Sequence, residues 1–110
     1  MSCDGLLAIT IPNAVTILKA ETFSACSSLA SVTLGTNLTT IENKTFRGCS
    51  ALTDLTLPNT LTSIGNQAFA YSGLESITIP VSVTSIGTEV FSNCNSMASI
   101  SVVEIGRAHV

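Results

Sequence analysis

The sequence predicts a right-handed α/β solenoid, rich in β structure. Each coil of 22–23 residues should carry one strand of a parallel sheet on one face, a second short strand and a short helical turn. Three observations carry that prediction. Phe23, Phe46, Phe69 and Phe91 recur at intervals of 23, 23 and 22 residues. Laid on that ruler, six columns are apolar in all 27 of their places, which random placement at 45% apolar residues would achieve about once in 10⁹ trials. Finally, 15 Ser and 15 Thr supply hydroxyls to a chain of 110 residues. That suits strands and turns, because Thr is stiff at χ1 and Ser competes with the helical backbone.

Each element follows in order along the coil. A leading apolar residue, Leu6 in the first copy, gives way to an apolar–hydroxyl–apolar strand. The copies of that strand are Ile9-Thr10-Ile11, Val32-Thr33-Leu34, Leu55-Thr56-Leu57, Ile77-Thr78-Ile79 and Ile100-Ser101-Val102. Period-two alternation puts the apolar pair in the core and the hydroxyl outside. Pro12, Gly35, Pro58 and Pro80 end this strand, because proline cannot donate to a ladder and glycine weakens one. A second extended stretch runs from Val15 to Leu18 and recurs through Val83 to Ile86. Gly65 and Gly87 mark the next corner, where the first two copies carry Lys19 and Glu42, so this corner does not strictly require φ > 0. The segment that follows, such as residues 66–70, is expected to form one turn of α- or 3₁₀-helix that drops the phenylalanine inward. The third copy is one residue short between Phe69 and Leu74. A unit of this length cannot hold the helix pairs of repeats of about 33–34 residues, so neighbouring coils must stack to bury their apolar lining.

The rest of the composition excludes whole classes of function. At 110 residues there is room for one domain. Charged residues are only 10% and the net charge is −3, which leaves no electrostatic footprint for nucleic acid or an anionic membrane surface. No apolar run approaches the ~18 residues of a membrane span.

The pattern L-x-x-[IVL]-x-[IVL]-[PG]-x-x-[VL]-x-x-[IL]-x-x-x-x-F-x-x-C over residues 3–103 resembles the BspA-like leucine-rich repeat. It shares L-x-x-L-x-L with leucine-rich repeats in general. It then departs from them, because the column that would hold an asparagine ladder carries Ala14, Asn37, Thr60 and Ser82, so no such ladder is expected there. The resemblance implies a leucine-rich-repeat solenoid, a cell-surface or secreted setting, and recognition or adhesion toward a protein ligand. The alternatives are a rigid spacer or an intracellular scaffold array with no ligand of its own.

Residues 1–103 are expected to be a fragment of about four and a half coils. Cys3 stands at the same offset before Leu6 as Cys26 does before Leu29, so the chain would begin inside a preceding repeat. Neither end shows a polar cap, so neighbouring repeats of a longer parent chain are expected to cover both edges. Residues 104–110 break the pattern, with Gly106 where Val or Leu belongs. Their sequence can be encoded by GAGATCGGAAGAGCACACGTC, which resembles a standard short-read sequencing adapter. The expectation is that this tail is not native protein.

No catalytic constellation can be built from residues 1–103, because the one histidine, His109, lies in the tail. The chain is therefore read as non-enzymatic, with no cofactor and no metal. Cys3, Cys26, Cys49 and Cys94 share a column interrupted by Ser72. Two arrangements compete: inert buried thiols, favoured because parallel Cβ vectors ~5 Å apart suit a bridge poorly, or one bridge between adjacent coils among Cys3, Cys26 and Cys49. Zinc is excluded, since no C-x-x-C spacing exists. The sequons at Asn37 and Asn43 are no more frequent than chance would give. On the coils outside the sheet, Tyr71 and Arg47 are the only anchor types. The outward face of the first strands, with Thr10, Thr33, Thr53, Asp54, Thr56, Glu75 and Thr78, is the candidate binding face. Its competing reading is a threonine ladder that serves only pairing and solubility.

Overall fold

The computed structural model describes residues 5–102. The tail at 104–110, with His109, and the questions about Cys3 lie outside the described residues.

Three sides make up each coil. The second side is the most regular. Strands β2 (Ile17–Leu18), β4 (Thr40–Ile41), β5 (Ser63–Ile64) and β7 (Ser85–Ile86) form one parallel four-stranded sheet in that order. Its register pairs Leu18 with Ile41, Ile41 with Ile64 and Ile64 with Ile86, so the apolar column predicted from sequence is the register itself. Only two residues per coil pair here, fewer than the four-residue stretches expected. Prolines shape the approach: Val15, Leu61 and Val83 each donate a backbone N–H to the carbonyl of Pro12, Pro58 or Pro80 three residues earlier, at 3.1 Å. That turn consumes the start of each stretch.

The first side carries β1 (Ala8–Thr10), β3 (Ser31–Thr33), β6 (Ser76–Ile79) and β8 (Ser99–Val102). The continuous sheet expected there is instead two parallel pairs, β1 with β3 and β6 with β8. The third copy, Asp54 to Leu57, belongs to neither. Its composition explains the exception. Leu55 stands where every other copy has Ile or Val, and Asp54 precedes it, so this copy has the weakest strand-forming residues of the five.

The third side corrects the expected helical turn, because the described residues contain no helix. Two residues per coil, four apart, sit in the left-handed region. These are Glu21 and Ala25, Lys44 and Gly48, Gln67 and Tyr71, and Glu89 and Asn93, with φ between 57° and 82°. A helix cannot pass through such residues. Alternate N–H groups on this side also serve the stack rather than the coil. Phe23 donates to the Thr45 carbonyl at 2.9 Å, Phe46 to Ala68 at 2.8 Å and Phe69 to Val90 at 3.0 Å. The intervening groups close three-residue turns within the coil, as Ser24 does on Glu21 at 3.2 Å.

Between these sides lies one core. The four phenylalanine rings stack along the axis at centroid separations of 5.5, 5.5 and 5.8 Å, with planes within 13° of parallel. Leu29, Leu38, Ile41, Leu52, Leu61 and Leu74 pack around them with no solvent exposure. In the last coil, Ile86, Ile100 and Val102 are exposed although their columns are inward elsewhere, because no described coil lies against them.

Candidate functional site

Thr10, Thr33, Thr53, Asp54, Thr56, Glu75 and Thr78 are all exposed on the first side, because each alternates with an inward apolar residue. Thr10 and Thr33 are paired across β1 and β3, and Thr78 faces Ser101 across β6 and β8. Thr53, Asp54 and Thr56 lie on the unpaired third copy, and Glu75 immediately precedes β6.

The hydroxyls of the two sheet-bearing sides behave differently. On the second side several bond to the preceding coil: Thr60 Oγ1 donates to the Leu38 carbonyl at 2.8 Å, Thr62 Oγ1 to Thr39 at 3.0 Å and Ser82 Oγ to Leu61 at 2.6 Å, while Ser63 and Ser85 make no side-chain hydrogen bond among the described residues. On the first side none of the seven candidate side chains makes a hydrogen bond or an ion pair among the described residues. Their polar groups are left to solvent.

Two clefts open on this face, one on each flank of the third copy. The larger, about 460 Å³, lies between the second and third copies and is lined by Ser31, Thr33, Thr53, Asp54 and Thr56 among others. The smaller, about 330 Å³, lies toward the fourth copy and is lined by Asp54, Thr56, Asn59, Ser76 and Thr78 among others. Asp54, Leu55 and Thr56 border both. Asp54 is the only charged residue in either lining, and no aromatic ring borders them.

The turn side holds a different group. The Arg47 guanidinium lies 4.7 Å from the centroid of the Tyr71 ring, and its Nε donates to Gln67 Oε1 at 3.2 Å. Gln67 Nε2 in turn donates to Glu89 Oε1 at 2.9 Å, so the chain of contacts spans three coils. Arg47 is thus engaged within the fold, and Tyr71 remains half-exposed.

The cysteine column resolves into both arrangements. Cys26 is disulfide-bonded, which corrects the favoured thiol reading at that position. Cys49 and Cys94 are free and buried. Each donates its S–H to a phenylalanine carbonyl of an earlier coil, Cys49 to Phe23 at 3.2 Å and Cys94 to Phe69 at 3.0 Å. Ser72 keeps the column going in the short copy, its Oγ lying 3.3 Å from Cys94 Sγ. Burial pushes the Cys49 thiol from 9.0 up to about 11, and a backbone hydrogen bond with Cys26 opposes this more weakly. Such a thiol is a packing element and not a nucleophile.

Sequence reasoning missed an asparagine step at the corner after the second side. Asn43 Oδ1 accepts from the backbone N–H of Asn66 at 2.8 Å, and Asn66 Oδ1 accepts from Thr88 N–H at 2.9 Å. In the other sequon, Asn37 Nδ2 donates to the Asn13 carbonyl at 2.8 Å, so both sequon side chains serve the stack. Among the described residues no three His, Cys, Asp or Glu side chains gather as a metal site would require, and no helix is long and apolar enough to cross a membrane.

Short parallel strands on two sides, a turn side and an apolar ring stack inside define a leucine-rich-repeat solenoid. The chain belongs to the BspA type leucine-rich repeat family, whose model matches residues 1–105 in six copies. It is similar to a leucine-rich repeat protein from Bacteroides ovatus, with 37% identity over 91% of this chain and a TM-score of 0.88. It is also similar to the T. pallidum leucine-rich repeat protein, with 29% identity over 90% of this chain and a TM-score of 0.88. A leucine-rich cell surface protein from Faecalibacterium prausnitzii shares the fold at 24% identity over 90% of this chain, with a TM-score of 0.55. The chain spans 26%, 47% and 39% of those three chains, less than half of each. No curated protein matches it.

Proposed function

We propose that this chain is a non-enzymatic recognition or adhesion segment of a cell-surface or secreted repeat protein, and that it meets a protein ligand through the outer face of its first side. The observation that carries this reading is the division of labour among hydroxyls. Thr60, Thr62 and Ser82 beside the second sheet are bonded into the stack, whereas Thr10, Thr33, Thr53, Thr56 and Thr78, with Asp54 and Glu75, have no side-chain partner within the described fold. The surface setting is supported by the F. prausnitzii relative, described as a cell surface protein. Exposed Ile100 and Val102 on β8 fit a further coil of a longer array.

The test is binding of the intact chain to a panel of purified extracellular-matrix proteins by surface plasmon resonance. Thr33→Arg and Thr56→Arg should abolish any binding found, while Thr62→Arg on the second side should leave it within about twofold. Binding that follows array length and ignores these substitutions would instead identify a spacer.

A further inference from the structure

We infer that Arg47 and Tyr71 on the turn side form a second contact point, which takes an aspartate or glutamate carboxylate of a partner protein on the free edge of the guanidinium and an apolar neighbour of that residue on the tyrosine ring. This surface is separate from the first side and does not rest on the reading above.

The inference starts from what holds Arg47. Its Nε donates to Gln67 Oε1 at 3.2 Å, and its guanidinium carbon lies 4.7 Å from the centroid of the Tyr71 ring, so two side chains of the next coil fix it. Its terminal N–H groups make no hydrogen bond or ion pair among the described residues. A guanidinium held by one edge presents the other as a planar fork that matches a carboxylate. Because the fork is already oriented, little side-chain freedom is lost when a ligand docks.

Gln67 accounts for the open fork. Its column along the stack reads Glu21, Lys44, Gln67 and Glu89. A glutamate at 67 would give Arg47 a carboxylate from within the fold, whereas the amide gives it an acceptor without charge. The carboxylate of Glu89, one coil further on, accepts from Gln67 Nε2 at 2.9 Å and not from Arg47.

Tyr71 points to a ligand independently. It stands at φ 60° in a column whose other members are Ala25, Gly48 and Asn93. Left-handed backbone suits a bulky side chain poorly, and such outliers gather at functional sites. Core packing does not account for the ring, which is 48% exposed. Tyrosine and arginine are the types enriched among residues that dominate protein interfaces. A sulfated polysaccharide fits less well, since a polyanion asks for many cations and the chain has four Lys and Arg in all, with a net charge of −3.

The experiment follows the Arg47 Nε–H resonance of the ¹⁵N-labelled full chain at low salt. The probe is a pentapeptide blocked at both ends, glycine-leucine-glutamate-leucine-glycine, and its comparison carries glutamine at the centre; heparin is the third probe. The glutamate peptide should shift the resonance saturably, and the glutamine peptide should bind at least fivefold more weakly. Gln67→Glu should weaken the glutamate peptide at least fivefold, because it fills the fork from inside. That variant places at 67 the residue type already present at 21 and 89, so the fold is kept. Tyr71→Ala should weaken the peptide about threefold, while Lys44→Ala and Thr33→Arg should leave it within about twofold. Equal binding of the two peptides would overturn the inference. So would indifference to Gln67→Glu, or a response to heparin with none to the glutamate peptide. Matrix binding that responds to Thr33→Arg while the pentapeptide fails would sink this inference and leave the first-side reading standing; the opposite pair of results would do the reverse.

Discussion

Gly65 is glycine because Asn43 of the preceding coil stands where its side chain would go. Asn43 Oδ1 holds the backbone N–H of Asn66 at 2.8 Å, and a Cβ on Gly65 would lie 2.6 Å from the Asn43 backbone nitrogen. The relationship repeats one coil later, where a Cβ on Gly87 would lie 2.7 Å from the nitrogen of Asn66. Neither glycine has positive φ, so space and not backbone freedom selects it. Where Ala20 replaces the asparagine, the next corner tolerates Glu42, whose Oε1 accepts from Ala20 N–H at 3.1 Å.

Gly65→Ala should therefore destabilise the chain by about 1–3 kcal/mol, as overpacking does. Because the close atoms include backbone, Asn43→Ala should not rescue it. Urea denaturation of the two single variants and the double variant measures this. Full rescue would show that the asparagine side chain alone sets the constraint.

Phe46→Ala should cost about 3–5 kcal/mol, since the ring is fully buried between two parallel neighbours at 5.5 Å. Phe91, at the end of the row and partly exposed, should cost less when truncated. A loss below about 1 kcal/mol for Phe46 in a urea titration would contradict the stack.

The Cys49 thiol gives the chain an alkaline weakness. The folded state keeps this proton up to about pH 11, whereas an exposed thiol releases it near 9.0. The folded state thus holds more protons between those values, and stability falls as pH rises through that window, by on the order of 2–3 kcal/mol. Comparing wild type with Cys49→Ala from pH 8 to 11 isolates the effect. Parallel pH curves would refute it.

The two classes of hydroxyl predict opposite mutational responses. Thr60→Val removes bonds of 2.8 and 3.0 Å to the carbonyls of Leu38 and Thr36, and should cost about 0.5–1.5 kcal/mol. Thr33→Val removes none and should stay within about 0.5 kcal/mol in the same thermal unfolding assay. Equal costs would mean that the first-side ladder contributes to the fold after all.

The stacking period, the phenylalanine row, the proline turns and the outward threonines were legible because each is a repeating side-chain pattern, and stacking turns such patterns into columns. The turn side was not. Its left-handed residues include Glu21, Lys44 and Gln67, which carry no such signal; only Gly48 and Asn93 in the other column do. A helix was expected because the local segment was read alone, whereas its N–H groups bond to the next coil. The break at the third copy had a signal in Asp54 and Leu55, overridden in the reading by the regularity of the other copies. Of the candidate face, outward direction was readable from alternation. Which of its strands pair was not, since pairing between coils is not encoded in one coil.

The direction of the backbone bonds on the turn side bears on how such an array can grow. There the earlier coil donates, as Phe23 does to Thr45 at 2.9 Å and Phe46 to Ala68 at 2.8 Å. The parallel second sheet exchanges bonds in both directions between neighbouring coils. The stack therefore has a sense: a coil turned upside down would meet donors with donors on the turn side, and growth proceeds in one orientation only.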